Sequence, residues 1–160
     1  MTVFHLAQVN VARALAPLDD PLLADFVANL DRVNALADAA PGFVWRLKDE
    51  SGNATGIEVN DDPRVIINLS VWRTAELLFD FVYKTGHSSI MARRREWFER
   101  RDGPHMALWW VQAGHRPSVA EALERLALLA ARGPTAEAFT FKTRFPAPDS
   151  VVAAETVGAE

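Results

Sequence analysis

The sequence predicts an α+β domain in which one antiparallel sheet carries helices, and three observations lead there. Residues 64–72, RVIINLSVW, are rich in β-branched side chains and read as the strongest strand of the chain. Leu22, Leu23, Phe26, Leu30, Val33, Leu36 and Ala37 recur at helical spacing across residues 21–38. The strand-like and helix-like segments then follow one another as β-α-β-β-α-β. This is the split βαβ, or ferredoxin-like, order, extended here by a C-terminal helix and strand.

VFHLAQVNVA (3–12) has the length and composition of the first strand. Asp20-Pro21 opens the first helix, a capping carboxylate followed by proline at the first helical position, and Pro41-Gly42 closes it. FVWRLK (43–48) is the second strand, and DESGNATGIEVNDDP (49–63) a long, turn-rich connection to the third. The second helix buries Leu77, Leu78, Phe81 and Val82. FVYKTGHSSIMARRREWF (81–98) breaks at Gly86, restarts at His87, and is read as a further helix to about residue 101. HMALWWVQA (105–113) is the fourth strand, GHRPS (114–118) a turn, and 118–132 a helix with Val119, Ala122, Leu123, Leu126 and Leu129 on one side. Gly133-Pro134 ends it, and AFTFKTRF (138–145) is expected as a final strand. Residues 1–145 form one domain in this reading, and 146–160 a weakly structured tail.

Composition narrows the function. A chain of 160 residues can bury a core without staples, and the absence of cysteine excludes disulfides, thiolate metal sites and thiol nucleophiles. The formal net charge of −4 argues against a general nucleic-acid binder. No apolar run reaches membrane-spanning length, and MTVFHLAQVNVAR lacks the pattern of a signal peptide, so the expected setting is the cytoplasm, without membrane contact. There is no G-x-S-x-G, no phosphate-cradling glycine loop and no dinucleotide fingerprint, which sets aside hydrolase, kinase and nicotinamide-dehydrogenase readings. No histidine pair has metal-ligand spacing on one helix, so no protein-built metal site is expected.

The strands suggest where a site would lie. In 64–72, Val65, Ile67, Leu69 and Val71 form one side and are expected to face the helices. Ile66, Asn68, Ser70 and Trp72 form the other, mixing apolar bulk with hydrogen-bonding groups as a pocket wall does. Trp109 and Trp110 put one indole on each face of their strand, and a sheet with two apolar faces and helices for only one implies a homodimer. On the helix from 87, His87, Ile90, Met91, Arg94, Trp97 and Phe98 share a face, while Arg93 and Arg95 turn to solvent. Arg94, set in an apolar stripe, must snorkel outward, pair with a carboxylate such as Asp80 or Glu96, or meet an anionic ligand. The competing structural reading makes His87 a helix-start residue and Arg94 half of an ion pair. His105, at the start of its strand, is expected to be exposed, and His115 to fix its turn.

SVWRTAELLFDFVYKTGHSSIMARRREWF (70–98) and ALWWVQAGHRPSVAEALERLALLAARGPTAEAFTFKTRF (107–145) carry a resemblance. They resemble a bacterial family of undefined function within the dimeric α/β-barrel superfamily, related to antibiotic-biosynthesis-type and haem-dependent monooxygenases. The resemblance implies a ferredoxin-like protomer, a homodimer, and a pocket for a small molecule. Haem-degrading members have a tryptophan and a ligating histidine where this chain has Phe81 and Met91, a departure that counts against that chemistry. Haem-dependent carotenoid monooxygenases have a tyrosine, histidine and tryptophan at spacings matched by Tyr83, His87 and Trp97.

The expectation is therefore a monooxygenase-like or isomerase-like enzyme acting on an apolar, aromatic or polyketide-like substrate. His87 and Arg94 are its candidate catalytic residues; Trp72, Asn68, Ser70, Met91, Trp97, Trp109 and Tyr83 are its candidate substrate contacts. No cofactor is required by this reading. The alternatives are haem with neutral His87 as its axial ligand, and a non-catalytic ligand-binding or dimerisation module.

Overall fold

A computed structural model describes residues 3–48, 59, 61–84 and 92–148. Four strands form one antiparallel sheet: β1 (Phe4–Arg13), β2 (Phe43–Arg46), β3 (Val65–Trp72) and β4 (Met106–Gln112), in the spatial order β2-β3-β1-β4. Between them lie α1 (Ala24–Asp38), entered through a 3-10 turn at Pro21–Leu23, then α2 (Ala75–Lys84) and the short α3 (Arg94–Trp97), with α4 (Val119–Arg132) after β4. The caps are those expected: Asp20 accepts from the Leu22 amide at 2.9 Å, and Ser118 from the Glu121 amide at 3.0 Å.

Strand alternation sorts the sheet into two faces. On the odd-numbered face Ala7, Val71 and Trp109 lie in one row, and Val9, Leu69 and Ala107 in the next. All are buried, and they pack against Ala122, Leu126 and Leu129 of α4. On the even-numbered face the rows are Trp110–Leu6–Trp72, Leu108–Gln8–Ser70 and Met106–Asn10–Asn68. The first of these packs with Ala37 of α1, with Ala75, Leu78 and Phe81 of α2, and with Phe139.

Three expectations change. Val65, Ile67, Leu69 and Val71 face the appended helix α4, while the crossover helices α1 and α2 cover the other, polar-containing face. Helix α4 packs chiefly over β4 and β1, so the second face is partly covered within the single chain rather than bare. The expected strand at 138–145 shrinks to a bridge at Phe139, whose amide and carbonyl pair with Leu108 at 2.8 Å each way. The chain then turns: the Thr143 amide donates to the Thr140 hydroxyl at 3.1 Å, diverting the backbone from the sheet edge.

Finally, the helix expected to reach residue 101 stops at Trp97. Phe98 is extended and bridges to Ala14, and the Glu99 amide donates to the Arg13 carbonyl at 2.8 Å. The end of β1 captures this segment, helped by ion pairs from Arg13 to Asp62 and Glu99. Residues 49–58 and 60 of the 49–63 connection, and residues 149–160 of the expected tail, lie outside the described residues.

Gly42 joins α1 to β2 with φ +83°, and a Cβ built there would lie 2.4 Å from Leu77 Cδ1 and 2.8 Å from Leu77 Cβ. Left-handed backbone and overpacking against α2 would act together. Gly42→Ala is expected to lower unfolding stability by about 2 to 4 kcal/mol, read as a reduced urea midpoint at unchanged slope. A midpoint within error of the parent would show that α2 does not press on this turn.

Candidate functional site

A cavity of about 480 Å³ lies between the even-numbered face and helices α1 and α2. That volume falls within the range of small-molecule sites. Its roof comes from Phe26, Leu30 and Val33 on α1, with Leu78 and Phe81 on α2. These side chains enter it because the amphipathic stripe of α1 splits. Ala37 packs on the sheet, Leu22 and Leu36 are exposed, and the residues between stand over the polar rows.

The floor is a hydrogen-bonded strip. Gln8 Nε2 donates to Asn68 Oδ1 and to Ser70 Oγ, the latter at 2.8 Å, and Trp72 Nε1 donates to the same hydroxyl at 2.8 Å. Ser70 thus accepts twice, which orients its own O–H as a donor. Asn10 stands opposite Asn68 in register, and both line the cavity. Among the described residues, neither the Asn68 Nδ2 nor the Asn10 amide has a hydrogen-bond partner. Trp72 closes one end, stacked on Phe81 at 5.1 Å and edge-on to Phe43 at 5.5 Å.

The other end is cationic. Arg94, Phe98, His105 and Met106 line it, with Met106 opposite Asn10 and His105 beside Val11, roughly 7 to 10 Å from the Gln8 row along β1 at about 3.3 Å of rise per residue. The Arg94 guanidinium sits 5.8 Å from the Phe98 ring centroid, and burial alone pushes its pKa down, without removing its charge. The carboxylates expected to pair with it are engaged elsewhere: Asp80 with Lys84 at 3.1 Å, and Glu96 with Arg93 at 2.9 Å. Among the described residues Arg94 has no ion pair. Arg93, expected to be free in solvent, bridges Asp25 and Glu96 and lies 4.7 Å over the Trp97 ring. Arg46, also on the cavity wall, is neutralised by Asp38 at 2.7 Å.

Of the candidate residues, the fold brings Asn68, Ser70, Trp72, Tyr83 and Arg94 to this one cavity, with Tyr83 half-exposed at its margin. Trp97 and Trp109 stand away from it. Trp97 is buried with Ala14 and Leu23 beneath Phe26, because the chain turns extended at Phe98. Trp109 lies on the α4 face, where its Nε1 donates to Glu121 Oε2 at 2.9 Å. His115 bonds the other oxygen of Glu121 at 2.7 Å, tying its turn to α4. His87 and Met91 lie outside the described residues.

Sequence reasoning missed Gln8 and His105. Gln8 had a signal, since period-two alternation places it in register with Ser70. His105 was expected at the surface; instead it is half-buried on the cavity wall, because its carbonyl accepts from the Val11 amide at 2.9 Å and draws the segment over β1. Burial, then the charges of Arg94 and Arg101, hold its pKa below the ordinary 6.5.

With the folded-state pKa below the unfolded one, the unfolded chain takes the extra proton first as pH falls. This residue's contribution to stability is therefore complete above pH 6.5 and declines below it. An NMR titration is expected to give His105 a midpoint below 6.5, and Arg94→Met to move it upward without restoring it fully, since burial remains. A midpoint unmoved by that substitution would show that the two side chains do not sense each other.

A family model described as Domain of unknown function (DUF3291) matches residues 5–155. No curated protein matches the chain. Similar solved structures include SnoaB, a cofactor-independent oxygenase from Streptomyces nogalater, at 15% identity over 72% of this chain and 96% of its own, with a TM-score of 0.44. The protein of unknown function NE2512 from Nitrosomonas europaea is 17% identical over 74% of this chain and 99% of its own, at 0.44. PA3566 from Pseudomonas aeruginosa is 15% identical over 74% and 99%, at 0.45. Likenesses at this level assign no residue a role.

Proposed function

The chain belongs to the DUF3291 family, and from its cavity we propose a small-molecule enzyme of cofactor-independent monooxygenase or isomerase type. Its substrate in this proposal is apolar, aromatic or polyketide-like, and enolisable. The observation that carries the reading is Arg94, a half-buried cation with no carboxylate partner among the described residues, in a largely apolar cavity whose other arginine, Arg46, is paired with Asp38. An unpaired charge costs free energy when removed from water, so such an arginine is best explained by what binds it. An enolate or phenolate oxygen supplies the missing negative charge only once a proton has left the substrate. Arg94 then favours the ionised state over the neutral one, which is the requirement for catalysis rather than mere binding.

The aromatic roof and Trp72 hold the rings, and the Asn10–Asn68–Ser70 strip sorts substrates by a second oxygen function. His87, proposed as base or hydrogen-bond donor, and Met91, proposed as a contact, complete the site as read from sequence. Tyr83 would meet ligand at the margin. The homodimer implied by the resemblance stays part of the proposal. The haem alternative depends on His87, and no observation among the described residues favours it.

Thermal unfolding with a panel of two-ring compounds tests the reading. Naphthols and naphthoates are expected to raise Tm with saturation, naphthalene to raise it less, and Arg94→Met to abolish the difference. Equal shifts for all three, or none, would remove the basis for an anion-stabilising site. Oxygen uptake with hydroxylated aromatic ketones, insensitive to chelator, then distinguishes oxygenase from isomerase.

A further inference from the structure

Resting on that reading of the cavity as a ligand site, we propose that His105 is a catalytic base of this protein. It takes the proton of a phenolic or enolic ligand whose oxygen Arg94 then holds as the anion. Three observations meet at this residue. The imidazole lines the same end of the cavity as Arg94. No side-chain hydrogen bond of His105 is formed among the described residues, so a ring lone pair is available to a ligand. The charged groups acting on it, Arg94 from α3 and Arg101 from the loop before β4, are both cations, and no carboxylate among the described residues offsets them. An imidazole so placed is neutral and ready to accept.

The step balances without any other reagent. The ligand O–H bond breaks, its proton bonds to an imidazole nitrogen of His105, and the electron pair stays on the ligand oxygen beside the Arg94 guanidinium. The charge pattern before transfer is one cation and two neutral groups. Afterwards it is two cations around one anion, so the anion offsets the repulsion that Arg94 and Arg101 add to burial in lowering the His105 pKa. Each half of the step therefore supports the other. The ligands favoured are those whose hydroxyl is weakly acidic and conjugated to an apolar ring system, since an alcohol would not yield its proton and a permanently ionised acid would have none to give.

4-Nitrophenol is a suitable probe because its phenolate absorbs visibly and its neutral form does not. It would be titrated into the full chain at a pH where the free probe is neutral, with absorbance and proton exchange followed together. Proton exchange is read from the dependence of the binding heat on the ionisation heat of the buffer.

The wild-type protein is expected to produce phenolate colour with well under one proton released per ligand bound. His105→Gln, which keeps a polar side chain but cannot accept the proton, is expected to lose most of that colour or to release a full proton. Arg94→Met is expected to lose the colour, and His115→Gln, whose ring is bonded to Glu121 of α4 away from the cavity, to retain it. Colour with one proton released by the wild-type protein would overturn the proposal, because the proton has then gone to solvent. Retention of the wild-type pattern in His105→Gln would overturn it as well. Saturable binding of the probe as neutral phenol would overturn the proton transfer while leaving the cavity a ligand site. No binding of the phenol, alongside no stabilisation by naphthols or naphthoates, would sink both readings together.

Discussion

The even-numbered face of β1 and β3 cannot be closed by packing alone. Alternation places Gln8, Asn10, Asn68 and Ser70 side by side at the centre of the sheet, under two helices whose facing side chains are mostly apolar, with Asn29 and Asn34 of α1 among them. Leucine or phenylalanine pressed onto those amides would desolvate donors and acceptors without replacing water, at a cost of several kcal/mol for the group. The helices instead stand off over the polar rows and make contact over the Trp110–Leu6–Trp72 row, where nothing polar is lost. The cavity follows from that division. The odd-numbered face has no such strip, and Ala122, Leu126 and Leu129 of α4 pack directly onto its apolar rows.

Arg94 sits where it does because of events at the end of β1. The extended step at Phe98 pairs with Ala14, which stops α3 after a single turn and places its first residue over the cavity mouth. Arg93, one position earlier, reaches Asp25 and Glu96 and so uses the nearby negative charge. Neighbouring arginines thus divide the labour. One ties α3 to α1, and the other is left as the charge of the site. His105 arrives from the opposite side, carried in by the loop that leads to β4, and the two form a cationic end facing a neutral, hydrogen-bonding floor.

Much of this was legible in the sequence. The four strands, the two crossover helices, the last helix and the pocket face of β3 all follow from periodicity and caps, because those signals are local. Asn68, Ser70, Trp72 and Arg94 were therefore identifiable as neighbours of a cavity, and Arg94's need for a partner was readable from its apolar helical stripe. What failed depended on tertiary context. Trp97 and Trp109 are aromatic residues on plausible faces, yet one is turned away by a helix end set by pairing with β1 and the other by a helix appended far along the chain. AFTFKTRF alternates like a strand, but its two threonines close a turn instead. His105 carries no pattern at all; only the path of the loop brings it inward.

Among the described residues Arg94 has no carboxylate partner, and keeping that charge half-buried costs the unliganded fold free energy. The direct measurement is urea unfolding of Arg94→Met beside the wild-type protein in the absence of ligand. The methionine variant is expected to unfold at an equal or higher midpoint, since an unpaired charge is exchanged for an apolar chain of similar length. A loss of about 3 kcal/mol or more, the size expected when one partner of a buried ion pair is removed, would mean that Arg94 serves the fold, and the anion site would fall with it.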